Sequence, residues 1–181
     1  MGIGGSLRDG SRSEQILRIA LEAAQEEGAN ISALTGSDLV LPFYDPMTRG
    51  SRPAKATKLV EALRAADGII VVSPGYHGAL SGLVKNALDY AEDLRHDVRP
   101  YFDGRAVGTI AVADGWQAAV TTLEQVRTIT HSLRGWPTPL GGVVNTADAG
   151  LGAQGLDDKT RENLRTVGRQ VAQFARCFHR V

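Results

Sequence analysis

One cysteine, Cys177, stands among 181 residues, so no disulfide framework can form within the chain. No CxxC pair or Cys/His cluster is present either, which leaves no zinc site of the usual spacing. Neither sign of charge is in surplus: 20 Lys+Arg face 20 Asp+Glu. The broad basic face that binds nucleic acid is therefore missing. There is no run of about 18 apolar residues for a membrane span, and no basic-then-apolar leader. These absences predict a soluble, cytoplasmic, single-domain protein over residues 1–181, with neither nucleic acid nor membrane as a partner. That length buries roughly two-thirds of the surface an unfolded chain exposes.

What is present alternates between two periods. Gly68–Ser73 reads GIIVVS, Arg105–Ala113 reads RAVGTIAVA and Pro139–Asn145 reads PLGGVVN. Runs of this kind suit strands covered on both faces, as in a parallel sheet. Ala29–Thr35 is weaker and belongs at or near an edge. Between the runs the spacing turns helical. Ile16, Leu17, Ala20, Leu21 and Ala24 form one stripe, with Ser11 and Ser13 as candidate caps. Leu59, Leu63 and Ala66 form a second, opened by Pro53. Leu80 to Ala91 and Leu123 to Leu133 supply two more. Leu164, Val167, Val171, Phe174 and Ala175 close the chain, with Asp157 or Asp158 as cap. The alternation predicts a doubly wound α/β fold: a five-stranded parallel sheet of order 2-1-3-4-5 with helices on both faces. Its central first strand has only Met1–Gly4 to work with, so either that strand is unusually short or, as we expect, the natural chain begins a few residues upstream.

In such sheets ligands sit beyond the carboxyl ends of the strands, where the strand order reverses. Three loops fall there. Gly4–Ser13 contains GGSLRDGSRS: small residues permit close approach, Ser6, Ser11 and Ser13 offer hydroxyls, and the following helix points free N–H groups into the loop. Arg8 and Arg12 offer counter-charge, so the loop suits a phosphate; the alternative is a flexible Gly/Ser loop in which Ser11 serves only as a helix cap. Pro74–Ser81 follows GIIVVS, and Pro74 and Gly75 predict a sharp departure from the strand, with Tyr76, His77 and Gly78 at the sheet's rim. A planar heterocycle wants such a rim, backbone polar groups for its edge and apolar surface for its face; the alternative is that Tyr76 is a partly exposed aromatic and His77 a solvated loop residue. Asp114-Gly115-Trp116-Gln117 repeats the logic after the next strand; Trp116 is either a packing anchor at a helix start or the wall of a ring site.

Other motifs drop out. No GxxxxGK[ST] is present, and Gly2–Leu7 fails the dinucleotide fingerprint at Leu7. A formal GxGxxG at Gly150–Gly155 lies in the last unit, without an acidic ribose partner, and reads as a mobile loop. No GxSxG nucleophile elbow, catalytic triad or carboxylate pair occurs. His96, His131 and His179 read as structural or solvated residues of helical stretches, Cys177 as helix packing, and Asp89 and Asp93 as solvated or interface charges.

Taken together, Gly5-Ser6-Leu7-Arg8-x-x-Ser11-x-Ser13, Ser73-Pro74-Gly75-Tyr76-His77-Gly78 and Ser81–Tyr90 (SGLVKNALDY), with Leu41–Asp45 (LPFYD), resemble the NADPH-dependent FMN reductase family. This flavodoxin-like group also includes quinone, azo and chromate reductases and arsenic-resistance flavoproteins. The resemblance implies that Ser6, Arg8, Ser11 and Ser13 hold the FMN phosphate. It also implies that Pro74, Gly75, Tyr76, His77 and Gly78 line the ring edge, with Gly115, Trp116 and Gln117 opposite. NADPH or NADH would deliver hydride to FMN, and a flavin, quinone, azo compound or metal oxyanion would accept in turn, a ping-pong scheme without a general base. In the family Leu80–Leu94 and Trp116–Leu133 pair subunits, which implies a homodimer or homotetramer. The chain departs from the family at Ser13, where many members have Asn, and at Gly75-Tyr76-His77, where many have Glu-Tyr-Asn. A flavodoxin-type electron carrier, often strongly acidic, fits a neutral chain less well. A phosphate-sensing domain without redox chemistry leaves Tyr76 and Trp116 unexplained.

Overall fold

The structure, a computed structural model, describes residues 1–8, 10–147 and 155–178. The Gly150–Gly155 motif, apart from Gly155 itself, and His179 lie outside the described residues.

The centre of the sheet is short. Strand β1 (Gly2–Gly4) pairs in parallel with β2 (Ala33–Thr35) on one side and with β3 (Gly68–Tyr76) on the other. A hairpin strand, β4 (Ala79–Leu80), folds back antiparallel on the end of β3. Strand β5 (Ala106–Ala113) lies along β3, and both β6 (Trp136–Pro137) and β7 (Gly142–Asn145) lie along the outer side of β5. By position the order is the expected 2-1-3-4-5, with β2 at the edge. The count is seven strands rather than five, because β4 is added and the fifth position is broken in two. The break follows from hydrogen bonding: Pro139 has no N–H to give, and the Leu140 N–H goes to the Gln170 side chain at 3.1 Å instead of the sheet.

Alternation along β3 explains the layers. Ile69 and Val71 face a cluster with Leu59, Leu63, Val84, Leu88 and Val126, which come from helices α2 (Ala54–Ala65), α3 (Gly82–Asp89) and α4 (Trp116–Ser132). Ile70 and Val72 face the other way, onto Ile16, Leu17, Leu164, Val167 and Val171 of α1 (Arg12–Glu26) and α5 (Asp158–Phe178). Both faces of the sheet are covered, which is why its strands read as unbroken apolar runs. Helix α1 starts at the Ser11 cap, while Ser13 lies inside it; Asp157 caps α5, accepting from the Thr160 N–H at 2.9 Å.

Three sequence expectations need correction. Phe174 and Cys177 are exposed rather than packed, although Ala175 between them still lies against Gly68 of β3. His96 is solvated, one of its two expected states, but it lies in a turn rather than a helix, since α3 ends at Asp89 and tightens to a 3-10 turn over Tyr90–Leu94. Strand β3 does not turn away at Pro74 but runs on to Tyr76. Its neighbour β1 stops at Gly4, opposite Val72. Beyond that point β3 is an edge on one side, where a residue without an N–H is tolerated.

Candidate functional site at the carboxyl ends of the strands

Three segments meet the solvent beyond Gly4, Tyr76 and Ala113, the ends of β1, β3 and β5. In the first, the Ser11 hydroxyl is a hub. It accepts from the N–H of Glu14 at 3.3 Å and of Ser6 at 3.4 Å, and its oxygen lies 3.3 Å from the Ser13 hydroxyl. Ser11 and Ser13 are buried, Ser6 is half-buried, and the Ser6 hydroxyl accepts the N–H of Arg8 at 3.4 Å. The structure therefore gathers the three predicted serines at the opening of α1. Arg8 is exposed, and its guanidinium forms no ion pair among the described residues. Arg12 leans toward the Thr146 carbonyl at 3.5 Å. This donor set of hydroxyls, helix N–H groups and a free cation suits a phosphate. One carboxylate intrudes: Glu14 accepts the Gly10 N–H at 3.3 Å and pairs with Arg18 at 2.7 Å.

The second segment is a two-residue hairpin. Tyr76 pairs with Ala79, and the turn residues His77 and Gly78 both have positive φ, +53° and +78°. That is the signature of a type I′ turn, whose twist matches the strands it joins. Tyr76 and His77 are exposed at its tip. Gln125 of α4 braces it, donating to the Gly78 carbonyl at 2.8 Å and accepting the Leu80 N–H at 3.4 Å. Gly75 lies so close to α4 that a Cβ there would come within 2.6 Å of the Thr122 hydroxyl. That hydroxyl is buried and has no hydrogen-bond partner among the described residues.

The third segment turns at Gly115, φ +116°, which opens α4. Its N–H donates to the Asn145 side chain at 2.7 Å. Trp116 and Gln117 follow, both exposed. Pro74, in contrast, is buried within β3 and offers its carbonyl to the Ser73 hydroxyl at 2.9 Å.

A fourth element flanks the site. The 41–53 segment is pinned to α3 by Asn86, which accepts the Tyr44 N–H and donates to the Pro42 carbonyl, both at 2.9 Å. Arg52 then grips Asp93 with two bonds of 2.8 Å, its guanidinium 4.6 Å from the centre of the Tyr44 ring and 5.1 Å from that of Tyr90. Asp93 is thus a buried partner rather than a solvated charge, and the Arg52 hydrogen bonds hold its carboxyl below the ordinary aspartate range. Burial, and then the Asp93 charge, push the Tyr44 phenol up. Asp89 stays on the surface, paired with Lys85 at 2.5 Å. A cavity of about 510 Å³ opens at the opposite, amino end of the sheet, between Leu21, Ile31, Ala65 and Val171, and touches none of these segments.

The family model described as NADPH-dependent FMN reductase matches residues 1–150. The chain belongs to that family. It is 30% identical over 168 residues to an NAD(P)H-dependent FMN reductase of Pseudomonas aeruginosa, covering 91% of this chain and 88% of that one. It is 34% identical over 92 residues to a quinone reductase of Escherichia coli, about half of each chain (50% and 48%). Among solved structures, FerB, a flavoenzyme NAD(P)H:(acceptor) oxidoreductase of Paracoccus denitrificans, superposes with a TM-score of 0.75 at 16% identity, covering 97% of both chains. The flavodoxin-like fold expected from the sequence is the fold shared with these neighbours. As a family member the chain is an NAD(P)H-dependent oxidoreductase that works with FMN.

Sequence reasoning missed Asn145, Gln125 and Asn86, which position the segments that carry the candidate residues. Asn145 had a signal, a polar residue closing an apolar strand at the ligand end of the sheet. Gln125 had none, being one polar residue of many on α4.

Proposed function

We propose that this FMN reductase binds FMN as a single domain, with Ser6, Arg8, Ser11 and Ser13 on the phosphate. The observation that carries this reading is the gathering of three hydroxyls at the opening of α1, in a loop that also holds Arg8 by its N–H on the Ser6 hydroxyl, an exposed residue in no ion pair among the described residues. Gly75, Tyr76, His77 and Gly78 of the hairpin then edge the flavin ring from one side, and Gly115, Trp116 and Gln117 from the other. Pro74 lies buried within β3, two residues before Tyr76, where the hairpin turns. When bound, FMN supplies the redox chemistry, taking up hydride from NADPH or NADH and passing the electrons on.

The chain's own residues bind, orient and leave one ring face open. Tyr76 and Trp116, each more than half exposed, offer apolar surface on which a nicotinamide and then an acceptor can lie in turn. This order is the ping-pong scheme, and no side chain is asked to move a proton. The acceptor is a small oxidant such as a free flavin, a quinone, an azo compound or a metal oxyanion. A chain without net charge lacks the long-range steering that a protein partner wants. Trp116 and Val120 leave an apolar stripe of α4 uncovered, which supports a homodimer or homotetramer built on α3 and α4. No helix among the described residues is long and apolar enough to cross a membrane, in keeping with a cytoplasmic site of action.

The deciding experiment is purification, a flavin absorption spectrum, and NADPH and NADH oxidation with and without added FMN. Uptake of FMN and FMN-dependent oxidation of a nicotinamide are expected. A protein that neither takes up FMN nor oxidises either nicotinamide overturns the proposal.

A further inference from the structure

We infer that Glu14 is an electrostatic restraint on the phosphate loop, which keeps FMN exchangeable rather than permanently held. The inference rests on the proposed phosphate role of that loop. Gly10 lies between Arg8 and Ser11, and its N–H, a donor of the kind a phosphate seeks, faces the Glu14 carboxylate at 3.3 Å. The Glu14 N–H is itself bound to the Ser11 hydroxyl at 3.3 Å, so the residue belongs to the same hydrogen-bonded cluster. Its side chain is only 14% exposed, and water screens it poorly. With no ligand present the arrangement is favourable, because a carboxylate in the first turn complements the helix dipole. A dianion brought to the loop meets that carboxylate as a like charge and as a rival acceptor for the Gly10 N–H. Arg18 offsets part of the repulsion with its 2.7 Å ion pair, but it is 70% exposed and well hydrated.

The exchange of Glu14 for glutamine separates the charge from the hydrogen bond, since the amide oxygen can still accept from Gly10. Flavin fluorescence quenching would give dissociation constants for FMN and riboflavin with the wild type, Glu14→Gln and Glu14→Lys. Rapid desalting would give the rate at which FMN leaves. Glu14→Gln is expected to tighten FMN about three- to tenfold, to slow its release in proportion and to leave riboflavin within twofold. Glu14→Lys, which reverses the charge, should also tighten FMN over riboflavin, and it keeps the test open should the glutamine variant fold poorly. If the wild type prefers FMN to riboflavin but neither variant strengthens that preference, the restraint is wrong while the phosphate loop stands. If the wild type binds both flavins equally, the loop does not read phosphate and the inference falls with it.

Discussion

The Asn145 carboxamide oxygen holds two backbone N–H groups at once, that of Gly115 at 2.7 Å and that of Ala147 at 3.0 Å. One acceptor at the tip of β7 thereby ties the turn that opens α4 to the chain leaving the last strand. Gly115 sits at φ +116° and precedes the exposed Trp116, so the orientation of that indole depends on a bond made 30 residues away. Asn145→Ala removes the acceptor and leaves two N–H groups without it, at a cost of about 1–3 kcal/mol in local order. FMN and riboflavin should weaken together, each by about tenfold in fluorescence titration, because the proposed ring side is disturbed and the proposed phosphate loop is not. Asn145→Asp keeps the acceptor oxygens and should recover most of the loss. Selective loss of FMN alone would place the effect elsewhere.

The proposed phosphate role of Arg8 predicts the opposite selectivity. Its guanidinium is exposed and outside any ion pair among the described residues, so its removal costs the fold little. Charge-assisted bonds to a phosphate are worth about 1.5–3 kcal/mol, so Arg8→Ala should weaken FMN roughly ten- to hundredfold. Riboflavin, which has no phosphate, should change less than about twofold. Equal losses for the two flavins would show that Arg8 serves the loop rather than the ligand.

The two effects also mark what sequence could and could not supply. The strand runs were legible because a doubly covered strand has no polar face, and the serine loop was legible because hydroxyls and glycines cluster before an amphipathic helix. The hairpin was not: Pro74-Gly75 carries the composition of a turn, yet the early end of β1 allows β3 to continue through it. Asp93 was misread for a similar reason. A carboxylate on a helical stripe looks solvated until an arginine 41 residues upstream folds over it. Arg105 is the same case in reverse. It opens an apolar run in the sequence, but in the fold it is 1% exposed and donates to the carbonyls of Arg64, Ala66 and Tyr101. Burial pulls its guanidinium down to about 10. Partners remote in sequence leave no local pattern.

His77 occupies the first turn position of a type I′ hairpin at φ +53°, where asparagine or glycine is preferred over histidine. His77→Asn should therefore raise stability by roughly 0.5–1 kcal/mol, a shift of about 1–4 °C in melting temperature for a chain of this size. Thermal unfolding followed by circular dichroism of the apo protein measures this. An unchanged or lower midpoint would mean that the imidazole makes a compensating contact.

Arg52 and Asp93 supply a pH dependence. The folded-state pKa of Asp93 lies below its ordinary value, chiefly through the Arg52 hydrogen bonds. The pair therefore contributes its full stability above about pH 4 and loses it as pH falls through the lower, folded value. Asp93→Asn should cost about 2–3 kcal/mol at pH 7, because Arg52 stays buried without its counter-ion. In urea unfolding the gap between wild type and variant should be constant from about pH 7 to pH 5 and shrink below about pH 4. A gap independent of pH would assign the loss to packing on Tyr44 and Tyr90 rather than to charge.

Helix α5 crosses α1 at a single residue without a side chain. A Cβ on Gly168 would run into the carbonyl of Ala20, a backbone atom that no rotamer change can move aside. Next to it, Val167 and Val171 press on Gly108 of β5, where a Cβ would meet them at 2.7 and 2.8 Å, so α5 cannot retreat toward the sheet either. Helix propensity alone favours Gly168→Ala by about 1 kcal/mol, and the clash opposes it. If the helices must separate, buried contacts among Ile16, Leu17, Leu164 and Val167 are lost, and overpacking of this kind costs roughly 1–3 kcal/mol or more. The steric term should win, with a net loss near 2 kcal/mol and a lower urea midpoint. FMN affinity in the folded fraction should hardly change, since the crossing lies at the middle of α1 and the serines lie at its start. A stabilised variant would mean that the α1–α5 contact is looser than the structure shows.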